Sequence, residues 1–156
     1  MINDPDKSSA ITVSVITTKD DLDAAFHIRR SVFVEEQGFE LADEFDDDDA
    51  RSIHFLARVN DKPVGTARII PEKDYVKIGR VAVLKPFRGN GYGLTIMEKC
   101  ETEAFRLGYS KAVLHAQIQV QSFYERAGYQ VEGNVFNECG WPHITMVKRL
   151  ANGPSH

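Results

Sequence analysis

Val81-Ala82-Val83-Leu84-Lys85-Pro86-Phe87-Arg88-Gly89-Asn90-Gly91-Tyr92-Gly93 is the stretch on which the reading of this chain turns. Its first part closes an extended run, Tyr75 to Leu84, with apolar residues at Val76, Ile78, Val81 and Val83. Such alternation marks a strand, and the slip from even to odd positions predicts a bulge near Gly79 or Arg80. Its last part opens a helix, because Leu94, Met97, Ala104 and Leu107 recur at helical spacing until Gly108 stops them. Pro86 helps end the strand, and Arg88 to Gly93 forms the join. The first N–H groups of a helix lack partners and sit at the positive end of its dipole. Glycines there let the backbone approach phosphate oxygens and take up positive φ, and Arg88 adds a cation. The join therefore reads as an anion cradle for the pyrophosphate of a nucleotide-type cofactor; the plainer alternative is a flexible strand-to-helix turn. Glycines 89, 91 and 93 lack the dinucleotide-binding spacing, and no Gly-Lys-Ser/Thr occurs in the chain.

Working outward, Ile11 to Ile16 alternates branched apolar and hydroxyl residues and reads as a first strand. Thr18 and the acidic turn Asp20, Asp21, Asp23 suit the start of a helix that runs to about Val32. Gly38 interrupts, and Phe39 to Ala50 is a long acidic connection. His54 to Val59 and Val64 to Ile70 form a hairpin about Asn60-Asp61-Lys62-Pro63, with Gly65 marking a bulge. After the long helix come a strand at Ala112 to Ala116, a short helix at Val120 to Ala127, extended structure at Tyr129 to Val131 and a last strand at His143 to Lys148. The order β-α-β-β-β-α-β-α-β-β implies an antiparallel meander. A strand–helix–strand crossing then requires a parallel pair. The expected fold is a mixed α/β (α+β) sheet with helices on its faces, not a doubly wound one.

The 156 residues suit one domain over 11–150, with a loosely ordered start at 1–10 and a frayed tail at 151–156. A net charge of −4 disfavours a general nucleic-acid or anionic-membrane surface, so a bound anion must be met by local positive potential. Cys100 and Cys139 make no disulfide framework, Met1 to Ala10 lacks an apolar secretion segment, and no run approaches the ~20 residues that span a bilayer. A cytoplasmic location is the expectation. The acidic run Glu40, Asp43, Glu44 and Asp46 to Asp49 lacks the glycine and terminal glutamate of a calcium loop. Cys139 with His143 has no second pair for zinc, so no metal is expected.

Taken together, the motifs resemble a known family. Val81-Ala82-Val83 followed by Arg88-x-x-Gly91-x-Gly93 is similar to motif A of the GCN5-related N-acetyltransferases, the GNAT family, and Phe123-Tyr124-Glu125-Arg126-Ala127-Gly128-Tyr129 resembles their motif B. Val32-Phe33-Val34-Glu35-Glu36-Gln37, Glu44-Phe45-Asp46, Gly65-Thr66-Ala67-Arg68 and Pro142-His143 resemble its ElaA/YjcF-like branch, so the likeness spans about Ile11 to Lys148. It implies a GNAT-like fold, mostly antiparallel with a splayed parallel pair. It also implies coenzyme A as ligand, acetyl-CoA as cosubstrate, and a small-molecule or peptide amine as acceptor. By position, Arg88, Gly89, Asn90, Gly91, Tyr92 and Gly93 would hold the pyrophosphate. Main-chain groups of Val81, Ala82 and Val83 would meet the pantetheine arm and supply the oxyanion donor. Gln117 stands where the family often has Asn, and Val120 where it often has a small residue. Exposed strand edges in such folds often pair, so a homodimer is a further expectation.

Acyl transfer to an amine needs a base for the amine, a donor for the oxyanion and an acid for the thiolate. The resemblance gives the last role to Tyr124, whose alternative is aromatic packing beside Phe123 and Tyr129. The base stays open. Glu35 and Glu36 lie in the branch signature at the end of the first helix. His54, His115 and His143 have near-neutral reference pKa values, with His143 preferred, and an ordered water would also serve. Arg68 and Arg80 on central strands require acids, drawn from the Glu35/Glu36 segment or the substrate. The acidic run reads first as a solvated loop and second as a rim that steers a cationic amine. The resulting reading is an N-acetyltransferase; its rival is a CoA or acyl-CoA sensor of the same fold without turnover.

Overall fold

Apolar side chains gather in two clusters, one on each face of a seven-stranded sheet. In the computed structural model, which describes residues 11–151, the sheet order is β1-β2-β3-β4-β5-β7-β6. The expectations for residues 1–10 and for the tail beyond Ala151 lie outside the described residues. The strands are β1 (Thr12–Val15), β2 (Ile53–Val59), β3 (Lys62–Pro71), β4 (Val76–Val83), β5 (Lys111–Gln117), β6 (Gln130–Glu138) and β7 (Trp141–Arg149). Every neighbouring pair is antiparallel except β4 with β5. Helix α1 (Lys19–Arg29) packs Ala25 and Ile28 on one face, against Leu56 and Ala82. Helices α2 (Leu41–Glu44), α3 (Tyr92–Arg106) and α4 (Gln121–Arg126) complete the set. On the other face α3 buries Ile96, Met97, Cys100 and Ala104 among strand residues that include Phe55, Ile69 and Ile78; of the expected stripe Met97 and Ala104 are core, while Leu94 and Leu107 are exposed.

Sequence-level signals explain most of these elements. The Thr18 side chain accepts a hydrogen bond from the Asp21 N–H, capping α1 beside its acidic first turn. Asn60 and Asp61 take positive φ in the β2–β3 turn, as a two-residue hairpin requires. The expected slip in β4 is real: Thr66 pairs with Ala82 and Arg68 with Gly79, so Arg80 and Val81 face Ala67 alone. A second slip sits between β2 and β3 at Val64, beside the anticipated Gly65. Gly65 has its own reason, because a Cβ there would lie 2.8 Å from Ile96 Cδ1. Without that glycine, α3 could not approach the sheet so closely.

Three readings need correction. The first helix does not stop near Val32 but continues as a π-helical segment, Arg30–Glu36. The last hairpin is longer than the sequence suggests. Gly133 falls in a bulge where two extra residues separate Glu132 from Phe136, and β6 runs on to Glu138. Pro142 is accommodated opposite Asn137, with Cys139 and Gly140 at positive φ making the turn. Finally, the acidic connection holds α2 and a 3-10 turn, Asp47–Arg51, instead of open loop.

Candidate active site

The parallel pair that the topology demands is very short. β4 and β5 meet only at Val76 with Ala112 and Lys77 with Val113, although β4 continues to Val83 and β5 to Gln117. Beyond Lys77 the two strands part, and the edge of β4 that faces β5 has no strand partner. A cavity of about 680 Å³ opens in the gap. Val81, Ala82, Val83, Arg88, Gly89, Gly91, Tyr92 and Gly93 line it from one side, and Gln117, Tyr124, His115 and His143 from the other. Of the anticipated residues, Asn90, Glu35 and Glu36 are absent from the lining. Asn90 instead donates from Nδ2 to the Phe87 carbonyl, bracing the loop.

The three glycines serve different ends. Gly89 and Gly91 have φ of +87° and +79°, with nothing within 4 Å of a Cβ placed on them. Gly91 is the left-handed N-cap of α3, so the first N–H groups of a fifteen-residue helix point past an unobstructed backbone. Gly93 has no positive φ, but its Cβ would meet Phe123 Cζ at 3.2 Å. It allows α4 to pack against the start of α3, joining the two motifs. Arg88 donates from Nε to the Val83 carbonyl at 2.8 Å and forms a two-pronged pair with Glu36 at 2.6 and 2.7 Å. That pair holds the Glu36 carboxyl below the usual range, so this candidate base is committed elsewhere. Glu35 is exposed.

Opposite the cradle, Tyr124 packs edge-on against Phe123 and Tyr129, with ring centroids 5.0 and 6.1 Å apart. Tyr124 thus packs as its alternative reading has it, and it also lines the cavity. Burial pushes its phenol well above the ordinary value, which keeps the proton on oxygen as an acid must. Gln117 donates to Gln37 Oε1 at 3.0 Å and accepts from Gln119 at 2.6 Å, tying β5 to the segment after the π-helical turn.

The far end of the cavity is built by long-range contacts. Arg80, on the bulge, has φ of +54°, a conformation that costs about 1–2 kcal/mol for a residue with a Cβ. Its guanidinium is tethered to the Glu44 carbonyl at 2.9 Å, the Glu44 carboxylate at 3.0 Å and Asp46 at 3.2 Å. Arg29, 1% exposed, binds Glu44 and Asp49, while Arg68, 4% exposed, binds Asp46 and Asp49. The expectation of a solvated acidic run is thus overturned for Glu44, Asp46 and Asp49, which are the counter-charges of three arginines. The partners of Arg68 and Arg80 come from this run and not from Glu35 or Glu36. Arg68 holds the Asp46 carboxyl down to about 2. Burial pushes Glu44 up, and Arg80 and Arg29 pull it back. Glu40, Asp43 and Asp47 stay exposed.

The histidines separate cleanly. His54 bonds through Nε2 to the Asp49 carbonyl at 2.9 Å, away from the cavity, and burial lowers its pKa. His143 lies with Nδ1 2.8 Å from the Trp141 carbonyl. A carbonyl only accepts, so Nδ1 carries the hydrogen and Nε2 keeps its lone pair. His115 has Nδ1 2.7 Å from Glu138 Oε1. Phe33 and Gln37 of the quoted branch signature also line the cavity, as do Glu138 and Phe39, which were not singled out by sequence. The Cys139-Gly140 turn was the one signal that would have placed Glu138 at a hairpin tip.

Residues 23–150 match the family described as the acetyltransferase (GNAT) domain. An uncharacterized N-acetyltransferase of Bacillus subtilis, YjcF, is 36% identical over 86% of this chain and 96% of its own length. The crystal structure of Escherichia coli ElaA superposes with a TM-score of 0.79 at 30% identity, covering 89% of this chain and 99% of ElaA. A GNAT family acetyltransferase from Elizabethkingia anophelis, solved with acetyl-CoA bound, has a TM-score of 0.65 at 18% identity over 90% of this chain and 98% of that one. The last likeness is one of fold alone. With the family match running over most of the chain, and with the parted β4–β5 pair and glycine-capped α3 already seen, this chain belongs to the GNAT acetyltransferase family.

Proposed function

We propose that the protein transfers the acetyl group of acetyl-CoA to a primary amine by direct attack in a ternary complex, with Tyr124 as the general acid. One observation carries this reading: the β4–β5 gap, the glycine-capped start of α3 and Tyr124 share a single cavity. The N–H groups of Gly89 to Gly93 and the positive end of α3 suit a pyrophosphate. The unpaired edge of β4 from Val81 to Val83 suits the amide groups of a pantetheine arm, and one of its N–H groups suits the oxyanion. The relative solved with acetyl-CoA supports the choice of donor.

In the reaction the amine nitrogen attacks the thioester carbon, the C–N bond forms and the C–S bond breaks. The electron pair leaves on sulfur, and the hydroxyl of Tyr124, a residue of the cavity wall, supplies the proton that makes a thiol. Small-molecule or peptide amines fit the acidic balance of the chain better than nucleic acid does.

Thiol release from acetyl-CoA across a panel of primary amines tests this reading. Tyr124→Phe should lower turnover about 100-fold and leave acetyl-CoA affinity within about tenfold, the most that one lost hydrogen bond accounts for. Unchanged turnover would remove Tyr124 from the mechanism. Acetyl-CoA binding with no thiol release from any amine would select the sensor reading, and absence of binding would end both.

A further inference from the structure

Acetyl transfer must take a proton from the amine, and two imidazoles in the cavity wall offer a ring nitrogen for it. Register sets where they stand. Gln117 pairs with His143, and His115, two residues earlier in β5, shares the face of Gln117. Phe136 pairs with His143 and Glu138 with Trp141, so Glu138 belongs to that face too, and its carboxylate reaches His115 over β7. His115 is also two residues past Val113, the last residue of β5 paired with β4. It therefore stands at the closed end of the gap, opposite the Gly89–Gly93 end. A donor anchored there by its pyrophosphate and laid along β4 points its acyl end toward His115.

We propose that His115 is the general base of the transfer and that Glu138 is its positioning residue, an assignment that rests on the N-acetyltransferase reading. With Nδ1–H given to Glu138, Nε2 carries the lone pair. Nε2 takes the N–H proton of the amine as the C–N bond forms, while the C–S pair departs with sulfur and is protonated by Tyr124. Proton exchange with solvent then restores both groups. The positive charge gained by His115 lies beside a carboxylate, which stabilises it. His143 is the weaker choice, because its Nδ1–H meets an uncharged carbonyl in place of a carboxylate; both rings pack on Phe136. His115 holds the Glu138 carboxyl below its usual range, so the partner stays ionised.

Other titratable and charged groups of the cavity wall are Lys77 and Arg80 on β4, Arg68 on β3, Asp43 and Glu44 on the acidic connection, Arg88 and Tyr92 at the cradle, Tyr124 and Arg126 on α4, Cys139 at the β6 end and His143 on β7. Arg80 and Glu44 pair with each other, Glu44 also with Arg29, and Arg68 with Asp46 and Asp49. That leaves Glu138 as the carboxylate that bonds His115.

The test compares wild type with His115→Gln, Glu138→Gln and His143→Gln, using spermidine, phenethylamine and lysine amide as probe amines. His115→Gln should lose about 100-fold in kcat/KM for the amine and lose the acid limb of the pH profile. Its acetyl-CoA affinity should be kept, which excludes misfolding. Glu138→Gln should lower kcat about tenfold with the KM for the amine kept, the worth of one charge-assisted hydrogen bond, and Glu138→Asp should restore most of it. Nitrogen NMR of the His115 ring, without any acceptor, should place the hydrogen of the neutral ring on Nδ1. An acid limb that survives in His115→Gln, a limb abolished by His143→Gln alone, a Glu138→Asp no better than Glu138→Gln, or a His115 hydrogen on Nε2 would overturn the assignment. Failure of the wild type to release thiol from all three amines would instead strike the transferase reading, with the NMR tautomer still reporting on the pair.

Discussion

The two ends of the cavity are built on different principles. The end proposed for the donor, from Val81 to Gly93, is contiguous in sequence and is built of backbone: an unpaired strand edge, two positive-φ glycines and a helix start. The end proposed for the acceptor draws side chains from the acidic connection and from β3, β4, β5, β6 and β7, and is built of charge. A backbone site needs only that certain side chains be absent. A side-chain site needs several to arrive together, with every buried charge matched. Donor binding should therefore be robust to changes at the acceptor end, and acceptor geometry should depend on residues far away in sequence.

The largest expected effect lies in the charge network. Arg29 is 1% exposed, with its guanidinium between Glu44 and Asp49 and close over the rings of Phe26 and Phe45. Removing it leaves two partly or fully buried carboxylates short of a counter-charge. Arg29→Ala should lower the unfolding free energy by about 3–5 kcal/mol, read from urea denaturation. The folded fraction should bind acetyl-CoA with wild-type affinity. A loss of affinity as large as the loss of stability would mean that the two ends are not separable.

Next comes the donor end. Gly93→Val would drive a branched side chain into Phe123, whose Cζ is already 3.2 Å from a bare Cβ. Overpacking of this kind costs about 1–3 kcal/mol. Here it should appear as roughly tenfold weaker acetyl-CoA binding by calorimetry, since a tenfold change is about 1.4 kcal/mol. Wild-type affinity would show that the packing of α4 on α3 has no part in shaping the cradle.

The same division explains what could be read from the sequence. Strand alternation, the bulge at Arg80 and the stripe Met97, Ala104 on α3 were legible because each is a local consequence of period and burial. The cradle was legible because glycine leaves a local mark. The fate of Glu44, Asp46 and Asp49 was not, because nothing within Phe39 to Ala50 says that Arg29, Arg68 and Arg80 converge on it from three other elements. The π-helical segment escaped for a related reason: its apolar residues Val32 and Phe33 also fit an ordinary helix. Glu138 was lost because the extended reading stopped at Val131, whereas β6 continues through the bulge around Gly133 to Glu138.

A smaller effect separates the ends by pH. Arg68 holds Asp46 at about 2, against about 4 for a free aspartate. A carboxyl depressed in the folded state contributes stability that is present above the unfolded pKa and lost as pH falls through the folded one. The window is therefore pH 4 down to 2. With Asp46 about a third exposed, the contribution is about 1 kcal/mol after solvent screening. Asp46→Asn should flatten the acid limb of the stability curve in that window, followed by circular dichroism. A curve as steep as that of the wild type would place the acid sensitivity elsewhere in the network.

The smallest effect concerns the one side-chain cation of the cradle. Arg88 donates to Glu36 through its two terminal guanidinium nitrogens at 2.6 and 2.7 Å, and from Nε to the Val83 carbonyl. A pyrophosphate arriving at Gly89 to Gly93 meets an arginine already neutralised by a carboxylate, and that carboxylate repels it. Glu36→Gln removes the repulsion and frees the guanidinium, while the bond to Val83 still fixes the side chain. The pair is more than a third exposed on both sides, where such contacts are worth about 0–1 kcal/mol. Acetyl-CoA affinity should therefore rise by no more than about fivefold, and the gain should shrink as salt screens the charges. Weaker binding would reverse the roles, making Glu36 the residue that holds Arg88 in place for the phosphates. The donor end would then depend on a side chain fifty-two positions away, and its difference from the acceptor end would be one of degree.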